Sequence, residues 1–200
     1  MRTVIIATKN ENKVKEFRDM FGSEAAVRSL LDVEMDDIPE TGETFEENAA
    51  LKAEAIAAAY EVPVIADDSG LEIDALNGRP GVYSARYAGE EKNDEANTAK
   101  VLQELEGMPE EKRSARFVCV IAAAAPGKET ETFRGTCEGR IAPAKSGANG
   151  FGYDPVFYLP ERGVSMAELP PEEKNKISHR FQALQKMKEQ SLNITSDERE

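Results

Sequence analysis

The sequence contains few of the side chains that most often bind transition metals. Its 200 residues include one histidine, His179, and two cysteines, Cys119 and Cys137. The cysteines lie in separate apolar or strand-like runs and match no zinc spacing, so we expect two reduced thiols rather than a disulfide or a ligand pair. HExxH, EF-hand and GxxxxGK(S/T) sequences are also lacking, which disfavours zinc proteases, EF-hand proteins and P-loop NTPases.

Two other catalytic signatures are incomplete. The sequence "GANGFG" (147–152) is not GxGxxG and does not join a clear strand to a helix, which disfavours a Rossmann site. Ser69 follows two acidic residues and does not lie in a GxSxG elbow, which disfavours a serine hydrolase. Carboxylates, lysines and glycine-rich loops remain, and these suit a hard divalent cation with a phosphorylated substrate.

Long apolar runs are missing as well. No stretch approaches the roughly 20 residues that a membrane-spanning helix needs, so no membrane partner is expected. The first residues, "MRTVIIATKN", enter a strand pattern and lack the apolar length and cleavage site of a signal peptide. We therefore expect a cytoplasmic protein.

Positive charge is scarce. The chain has 25 Lys and Arg residues against 38 Asp and Glu residues, a formal net charge of −13. Such a surface repels polyanionic DNA and RNA, so no nucleic-acid partner is expected. A small anionic ligand in a local cationic pocket is still compatible with this charge. Apolar residues make up 40% of the chain, and its length suits one domain or two closely joined lobes.

The hydrophobic patterns predict an α/β domain with a mixed sheet. Predicted strands cover residues 3–8, 26–33, a run ending at Asp67–Asp68, and a hairpin of 114–125 and 130–142 joined at Pro126–Gly127. Four helices are predicted. The first begins after an Asn10 cap and ends at Gly22, and the second covers 45–60 after a Thr44–Glu47 capping box. The third runs from an Asp94 cap to about 106, and the last segment, 170–190, is largely helical. We expect one domain over 1–190 and a frayed polar tail over 191–200.

Two adjacent carboxylates, Asp67 and Asp68, follow the apolar run Val64–Ala66. Like charges at a buried strand end are costly, and a bound Mg²⁺ would remove most of that cost. Neighbouring strand residues point to opposite faces, so only one of the two needs to face a site. The alternative is a turn, since Asp-Ser-Gly is common turn chemistry.

Several polar residues in the first third of the chain are candidates for phosphate or metal binding. In "ATKNENK", Thr8, Asn10 and Lys13 would surround a helix N-terminus, where backbone amides attract phosphate. Glu40 lies in the Pro/Gly loop "PETGET", and Lys52 lies on the next helix. The alternatives are a plain helix cap for Asn10 and solvated surface side chains for the others.

Two further segments combine aromatic and basic residues. In "GFGYD", Phe151 and Tyr153 could stack on a base or could be core residues. In "EEKNKISHR", Lys174, His179 and Arg180 fall within about two helical turns, as a basic surface face or as donors to a carbonyl oxygen.

These motifs in this order closely resemble the inosine triphosphate pyrophosphatase family. The segments are "TKNENK", "PETGETFEENAALKA", "ADDSG", "PGVYSARYAG", "GFGYDPVF" and "EEKNKISHR", and the resemblance runs from about residue 3 to about residue 188. It implies hydrolysis of non-canonical purine nucleoside triphosphates such as ITP, dITP and XTP to a monophosphate and pyrophosphate. It also implies dependence on Mg²⁺, a homodimer, and a long bent mixed sheet forming two lobes with the active site in a central cleft.

The resemblance also assigns roles to residues of this chain. Asp68 matches the family's general base and metal-site carboxylate, and Glu40 matches its metal ligand. Matching positions that hold the triphosphate are Thr8, Lys9, Asn10, Lys13, Lys52 and Ser69, with no weight on the Lys9 side chain. Matching positions around the nucleoside and its base are Phe151, Gly152, Tyr153, Asp154, Lys174, His179 and Arg180.

Selection of the base follows from hydrogen bonding. Hypoxanthine and xanthine carry a 6-oxo acceptor where adenine carries an amino donor, so donors from His179 and Arg180 would favour the former. Replacing Arg180 with alanine should then weaken selection of ITP over ATP. Three alternatives stay open: a pyrophosphatase for another modified nucleotide on a related two-lobed fold, a nucleotide-binding protein without activity, and a phosphatase that releases orthophosphate.

Overall fold

The computed structural model describes residues 2–32 and 38–191. Strands are β1 (Arg2–Ile6), β2 (Ala25–Ser29), β3 (Val64–Ile73), β4 (Ser114–Ala124), β5 (Glu131–Ile141), β6 (Phe157–Leu159) and β7 (Val164–Ser165). Helices are α1 (Glu11–Phe21), α2 (Phe45–Tyr60), α3 (Asp94–Glu104), α4 (Pro171–Ile177) and α5 (His179–Ser191). Short 3-10 helices occupy 74–76, 81–86, 110–112, 154–156 and 166–168.

The strands form one mixed sheet in the order β2-β1-β3-β4-β5-β6-β7. β1 pairs in parallel with both β2 and β3. β6 pairs in antiparallel fashion with β5 and with β7. The parallel part is built from β-α-β connections through α1 and α2, which a parallel pair requires. The predicted α/β class with a mixed sheet is confirmed.

Local signals place the starts of the first two helices. Asn10 caps α1 by accepting the N–H of Lys13 at 3.1 Å, and Gly22 ends the helix at φ 51°. At α2, Thr44 Oγ1 accepts the N–H of Glu47 at 3.2 Å, while the Glu47 carboxylate accepts the N–H of Thr44 at 3.2 Å. The predicted Asn10 cap and Thr44–Glu47 capping box are confirmed.

Three boundary predictions are wrong. β3 does not end at Asp67–Asp68 but continues to Ile73, so Asp-Ser-Gly is not a turn. The cap of α3 is Asn93, whose Oδ1 accepts the N–H of Ala96 at 2.9 Å, and Asp94 is the first helical residue. The predicted helix over 170–190 is two helices, because Ser178 between α4 and α5 has an extended backbone at φ −65°, ψ 154°.

Other boundaries differ from prediction by smaller amounts. β1 ends two residues before Thr8, and the hairpin of β4 and β5 is present as neighbouring strands joined across residues 125–130. The short strands β6 and β7 carry no alternation long enough to predict. The end of the predicted strand at Val33 and the tail from residue 192 onward lie outside the described residues.

The chain divides into two compact units, each with its own apolar core. The first draws on the segments up to Asp68, Cys119–Gly135 and from His179 onward, and the second on Ser69–Val118 and Thr136–Ser178. Core residues of the first include Ile6, Phe17, Ile121, Phe133 and Leu184. Core residues of the second include Leu71, Ile73, Leu105, Phe157 and Met166. Among the helices of residues 2–32 and 38–191, none has the length and apolarity to cross a bilayer.

Candidate active site

Asp67 and Asp68 lie in the middle of β3 and are both buried, with 1% and 6% of their surface exposed. They follow the point where the parallel partner β1 stops, since the β1–β3 register pairs Ile5 with Val64 and Ile6 with Ile65. Consecutive strand residues point to opposite faces. The two carboxylates therefore meet different neighbours, as predicted from their adjacency.

Asp67 is surrounded by cations. Its Oδ2 is 2.9 Å from Lys13 Nζ and accepts from Arg180 Nη2 at 3.0 Å. Burial alone would raise the pKa of Asp67, but the charges of Lys13, Arg180 and Lys52 outweigh it and hold that pKa well below its usual range. Asp67 is thus a permanent carboxylate that holds two basic side chains in place.

Arg180 is a buried cation rather than part of a basic surface face. Only 1% of its surface is exposed, and its Nη1 donates to Glu16 of α1 while its Nη2 donates to Asp67. Burial would lower the pKa of Arg180, but the charges of Glu16 and Asp67 outweigh burial and raise that pKa above its usual value, so the guanidinium stays charged. His179, the preceding residue, is 6% exposed. Sequence reasoning missed Glu16, because nothing local marks an acidic residue 164 positions away as the partner of Arg180.

Cys119 lies next to this cluster, with its Sγ 3.9 Å from Asp67 Oδ2. Burial, together with the charge of Asp67, raises the pKa of the Cys119 thiol to about 12. Burial likewise raises the pKa of Cys137 to about 11. Both are free thiols, as predicted, and neither is a thiolate at neutral pH.

Asp68 is joined to Glu40 through one lysine. Lys52 Nζ donates to Glu40 Oε1 at 2.7 Å and to Asp68 Oδ1 at 3.2 Å. Burial raises the pKa of Asp68, and Glu40 and Asp67 add to that rise beyond what Lys52 and Lys13 offset. Burial would lower the pKa of Lys52, but Asp68, Glu40 and Asp67 together raise it. The ammonium thus brings together the two carboxylates that the sequence singled out.

The donor set around Asp68 fits a magnesium ion. Asp68 Oδ2 is buried and accepts no hydrogen bond from any residue in the described ranges. Within those ranges no group of three or more His, Cys, Asp and Glu side chains is arranged to hold a metal. Mg²⁺ does not need such a group, because proteins commonly bind it through one or two carboxylates plus substrate phosphates. Glu40 and Asp68 supply that number.

Asn48 is a second polar residue that sequence reasoning did not select. It is completely buried on α2, four residues before Lys52, and its Oδ1 accepts the N–H of Gly42 at 2.8 Å. A Cβ on Gly42 would lie 2.6 Å from the Glu47 Cβ, so only glycine lets this loop approach α2 so closely. Asn48 therefore fixes the short loop that carries Glu40.

The turn from β1 into α1 holds the remaining phosphate candidates. Thr8 Oγ1 accepts the N–H of Asn10 at 3.1 Å, and Asn10 uses its own Oδ1 as the α1 cap. Lys13, one turn into α1, is the side chain of this group that reaches Asp67. Lys9 is exposed, and Ser69 is half-buried on β3 in the other unit. The side chain of Asn10 is therefore a helix cap, as one alternative predicted. Lys13 is paired with Asp67, so the alternative of a solvated surface lysine is wrong for it.

The second unit contains its own cluster, around Asp154. Lys174 Nζ donates to Asp154 Oδ2 at 2.6 Å, and the same oxygen accepts the N–H of Phe151 at 3.0 Å. The Lys174 ammonium also lies 4.7 Å from the centre of the Phe151 ring. Asp154 and Lys174 are 2% and 5% exposed, so this ion pair is shielded from water.

The two aromatic residues of "GFGYD" have different placements. Tyr153 belongs to the core of the second unit, and its hydroxyl donates to the Ser84 carbonyl at 2.7 Å. Phe151 is half-buried, with Gly150 and Gly152 on either side at φ 75° and 61°. The core alternative describes Tyr153, which leaves Phe151 as the aromatic side chain available for stacking.

The family model described as Ham1 family matches residues 4–190 of the chain. A dITP/XTP pyrophosphatase of Geobacillus kaustophilus is 60% identical over 192 residues, covering 95% of this chain and 94% of the relative. A dITP/XTP pyrophosphatase of Bacillus subtilis is 55% identical over 189 residues, covering 94% and 96%.

Solved structures agree with the observed fold. The Staphylococcus aureus Ham1 protein is 47% identical and superposes with a TM-score of 0.87, and the match covers 96% of this chain and 100% of that chain. A HAM1 protein from Coxiella burnetii is 42% identical with a TM-score of 0.85, covering 98% of this chain and 99% of that one. Similarity over the whole length thus extends from sequence to backbone.

Proposed function

The chain belongs to the Ham1 family, and from this premise we propose that it hydrolyses non-canonical purine nucleoside triphosphates such as ITP, dITP and XTP. The products are the nucleoside monophosphate and pyrophosphate, and the cellular effect is to keep deaminated purines out of DNA and RNA. Relatives named dITP/XTP pyrophosphatase at 54–60% identity support this proposal. The structural observation that carries it is the partly buried Glu40–Lys52–Asp68 group, with one Asp68 oxygen not hydrogen-bonded by any described residue.

The proposed reaction is attack of water on the α-phosphorus. A new P–O bond forms from the water oxygen, the bond from the α-phosphorus to the bridging oxygen of the β-phosphate breaks, and pyrophosphate leaves. Asp68 orients the water and accepts its proton. Lys13 and Lys52 place positive charge where negative charge accumulates on the leaving group. Mg²⁺, which Glu40 and Asp68 would hold, supplies further positive charge at the phosphate oxygens.

The base is proposed to contact the second cluster. Phe151 offers a ring face for stacking, and Lys174 beside it offers a donor that can pair with a 6-oxo oxygen but not with the amino group of adenine. The further assignment of His179 and Arg180 to the 6-oxo group stays a prediction. Arg180 Nη1 and Nη2 already donate to Glu16 and Asp67. We therefore propose that Arg180 affects base selection indirectly, by fixing the positions of neighbouring residues.

We also propose a homodimer that acts in the cytoplasm, as the family resemblance implies. Each chain has a mass of 22.0 kDa, so sedimentation equilibrium should report twice that mass. A monomer at micromolar concentration would contradict this part of the proposal.

The test of the activity is a product assay with ITP, dITP, XTP, ATP and GTP, each with and without Mg²⁺. We expect Mg²⁺-dependent release of pyrophosphate from ITP, dITP and XTP and little from ATP or GTP. Replacing Asp68 with asparagine should lower the rate by about 100-fold or more, the usual contribution of a proton-transfer group. Asp74→Asn is the matched control, because Asp74 is half exposed and directly follows β3 without touching this group.

Each other outcome identifies a different function. Release of orthophosphate would indicate a general phosphatase, and binding of ITP without turnover would indicate a nucleotide-binding protein. With a modified pyrimidine triphosphate added to the panel, preference for that substrate would indicate a pyrophosphatase for another nucleotide. Full activity of the Asp68→Asn variant would show that the proposed site is wrong even if the substrate is right.

A further inference from the structure

The loop that carries Phe151 is tied to helix α3 through Asp94. Asp94 is the first residue of α3, but it does not cap the helix, because Asn93 accepts the N–H of Ala96. The Asp94 carboxylate is therefore available for another donor. Its Oδ2 accepts the N–H of Gly152 at 2.8 Å, across 58 positions of sequence. One turn further along α3, Thr98 Oγ1 lies 3.4 Å from the Gly152 carbonyl oxygen.

Phe151 is held at both of its peptide groups. Its own N–H donates to Asp154 Oδ2 at 3.0 Å, and the next N–H along the chain, that of Gly152, donates to Asp94. These two peptide planes flank the Phe151 Cα and together set the direction of its side chain. The Phe151 carbonyl, in the same plane as the Gly152 N–H, also accepts the N–H of Asp154 at 3.3 Å. Loss of the Asp94 bond therefore leaves this plane held by the longer of its two hydrogen bonds and loosens one of the two rotations that orient the ring.

Other contacts fix the part of the loop that precedes Phe151. Asn149 donates its backbone N–H to Ala167 at 2.9 Å and its side-chain amide to Leu169 at 3.0 Å. Ser146 donates its N–H to Pro155 at 2.8 Å. The loop is thus well anchored up to Asn149, and Asp94 supplies the anchor on the far side of Phe151.

We propose that Asp94 is a positioning residue for recognition of the base: it holds the Phe151 ring in the orientation that a purine stacks on. This inference rests on the function proposed above. Asp94 touches neither substrate nor metal and acts through the Gly152 amide. An aromatic platform that is oriented before binding costs less free energy to use than one that must be ordered by the ligand. The effect of losing Asp94 is therefore expected in substrate binding rather than in the chemical step.

The test compares Asp94→Ala, Asp94→Asn and Glu95→Gln in steady-state hydrolysis of ITP. Asparagine removes the charge but keeps a side-chain oxygen that can accept the Gly152 N–H, whereas alanine removes both. Glu95→Gln removes a charge from the same helical turn, together with the ion pair of Glu95 to Lys145 in the preceding part of the loop, and leaves the Gly152 bond intact. We expect Asp94→Ala to raise KM for ITP about tenfold with kcat changed less than about twofold, the tenfold factor corresponding to 1.4 kcal/mol. Asp94→Asn and Glu95→Gln should stay within about threefold of the wild-type KM.

An independent readout is amide hydrogen exchange of the free protein. The Gly152 amide should exchange faster in Asp94→Ala than in Asp94→Asn, while the amide of Asn149 exchanges equally in both. Thermal unfolding of each variant distinguishes local loosening from loss of fold. If Asp94→Ala does not fold, Asp94→Ser, whose side-chain oxygen lies one bond closer to the backbone and does not reach the Gly152 N–H, takes its place with the same expected rise in KM.

The outcomes separate this inference from the proposed function. Failure of the wild-type protein to hydrolyse ITP overturns the proposed function. An active wild-type protein with an unchanged KM in Asp94→Ala overturns the role of Asp94. Equal KM increases in Asp94→Ala, Asp94→Asn and Glu95→Gln would overturn it too, because charge on α3 rather than the bond to Gly152 would then explain the effect.

Discussion

At the scale of single residues, two buried cations among the predicted site residues are held by buried carboxylates. Arg180 is bound by Glu16 and Asp67, and Lys174 is bound by Asp154. An ion pair that is cut off from water gains little over an apolar pair, but removing one partner leaves an uncompensated charge. Replacing one of these residues is therefore expected to destabilise the fold, whether or not the residue also binds the substrate.

Replacing Arg180 with methionine should destabilise the fold. The substitution leaves Glu16 and Asp67 facing each other without the guanidinium, and the expected loss is about 3–5 kcal/mol in the free energy of unfolding. Urea denaturation followed by circular dichroism measures it. Arg162→Met is the matched control, since Arg162 and its partner Glu173 are 37% and 42% exposed at their side chains and such surface pairs contribute about 1 kcal/mol or less.

A loss of less than about 1 kcal/mol in Arg180→Met would contradict this account and would return Arg180 to a purely ligand-binding role. The earlier expectation, weaker selection of ITP over ATP on loss of Arg180, can be read only in a variant that remains folded. The two measurements on one variant therefore separate stability from selectivity.

At the scale of helices and strands, the sequence predicts what is decided locally. The Asn10 cap and the Thr44–Glu47 capping box are set by residues three positions apart, and both were predictable. The continuation of β3 beyond Asp68 was not, because its cost is offset by Lys13, Lys52 and Arg180, which are distant in sequence. A rule that ends a strand at charged residues fails where such partners converge.

The break between α4 and α5 illustrates the same limit. The segment from Pro171 to Ser191 has no internal proline or glycine, so its pattern predicts one helix. Ser178 is nevertheless extended and completely buried. The consequence for the site is that Lys174 and Arg180 lie on different helices and pair with different carboxylates, which spacing along a single helix could not predict.

Helix α5 packs directly on strand β5 at Gly135, and an alanine there should disrupt this contact. A Cβ at Gly135 would overlap the carbonyl oxygen of His179 and the amide nitrogen of Ala183, both backbone atoms of α5 that cannot rotate away. We expect Gly135→Ala to destabilise the protein by about 3 kcal/mol or more, the upper end of the usual cost of overpacking, because the atoms it meets belong to the backbone. Thermal or urea unfolding measures the change.

Gly127→Ala provides the comparison for that variant. Gly127 has φ 73° in the connection from β4 to β5, and a Cβ there would meet no atom within 4 Å. Its substitution costs only the backbone strain of a left-handed alanine, about 1–2 kcal/mol. If Gly135→Ala were as stable as Gly127→Ala or more stable, α5 would have to sit farther from β5 than the structure shows.

At the scale of the whole molecule, the excess of acidic residues and the anionic substrate are reconciled by where the cations lie. The chain carries a net charge of −13, yet Lys13, Lys52 and Arg180 converge on two adjacent aspartates. Their side chains are only 14%, 12% and 1% exposed. Three positive charges are thus gathered beside the proposed site, while acidic residues outnumber basic ones over the whole chain.

The acidic net charge predicts that the protein does not bind nucleic acid and that lowering the salt concentration does not induce binding. A protein that binds DNA through exposed lysines and arginines releases counterions, so its affinity rises as salt falls. Here the surface charge has the same sign as the phosphate backbone, and lowering the salt lengthens the range of repulsion. We expect no binding of a fluorescent DNA duplex at either about 200 mM or about 50 mM salt, measured by fluorescence anisotropy, while ITP turnover proceeds at both. Duplex binding that strengthens at the lower salt would mean that a basic surface exists which the charge of the whole chain conceals.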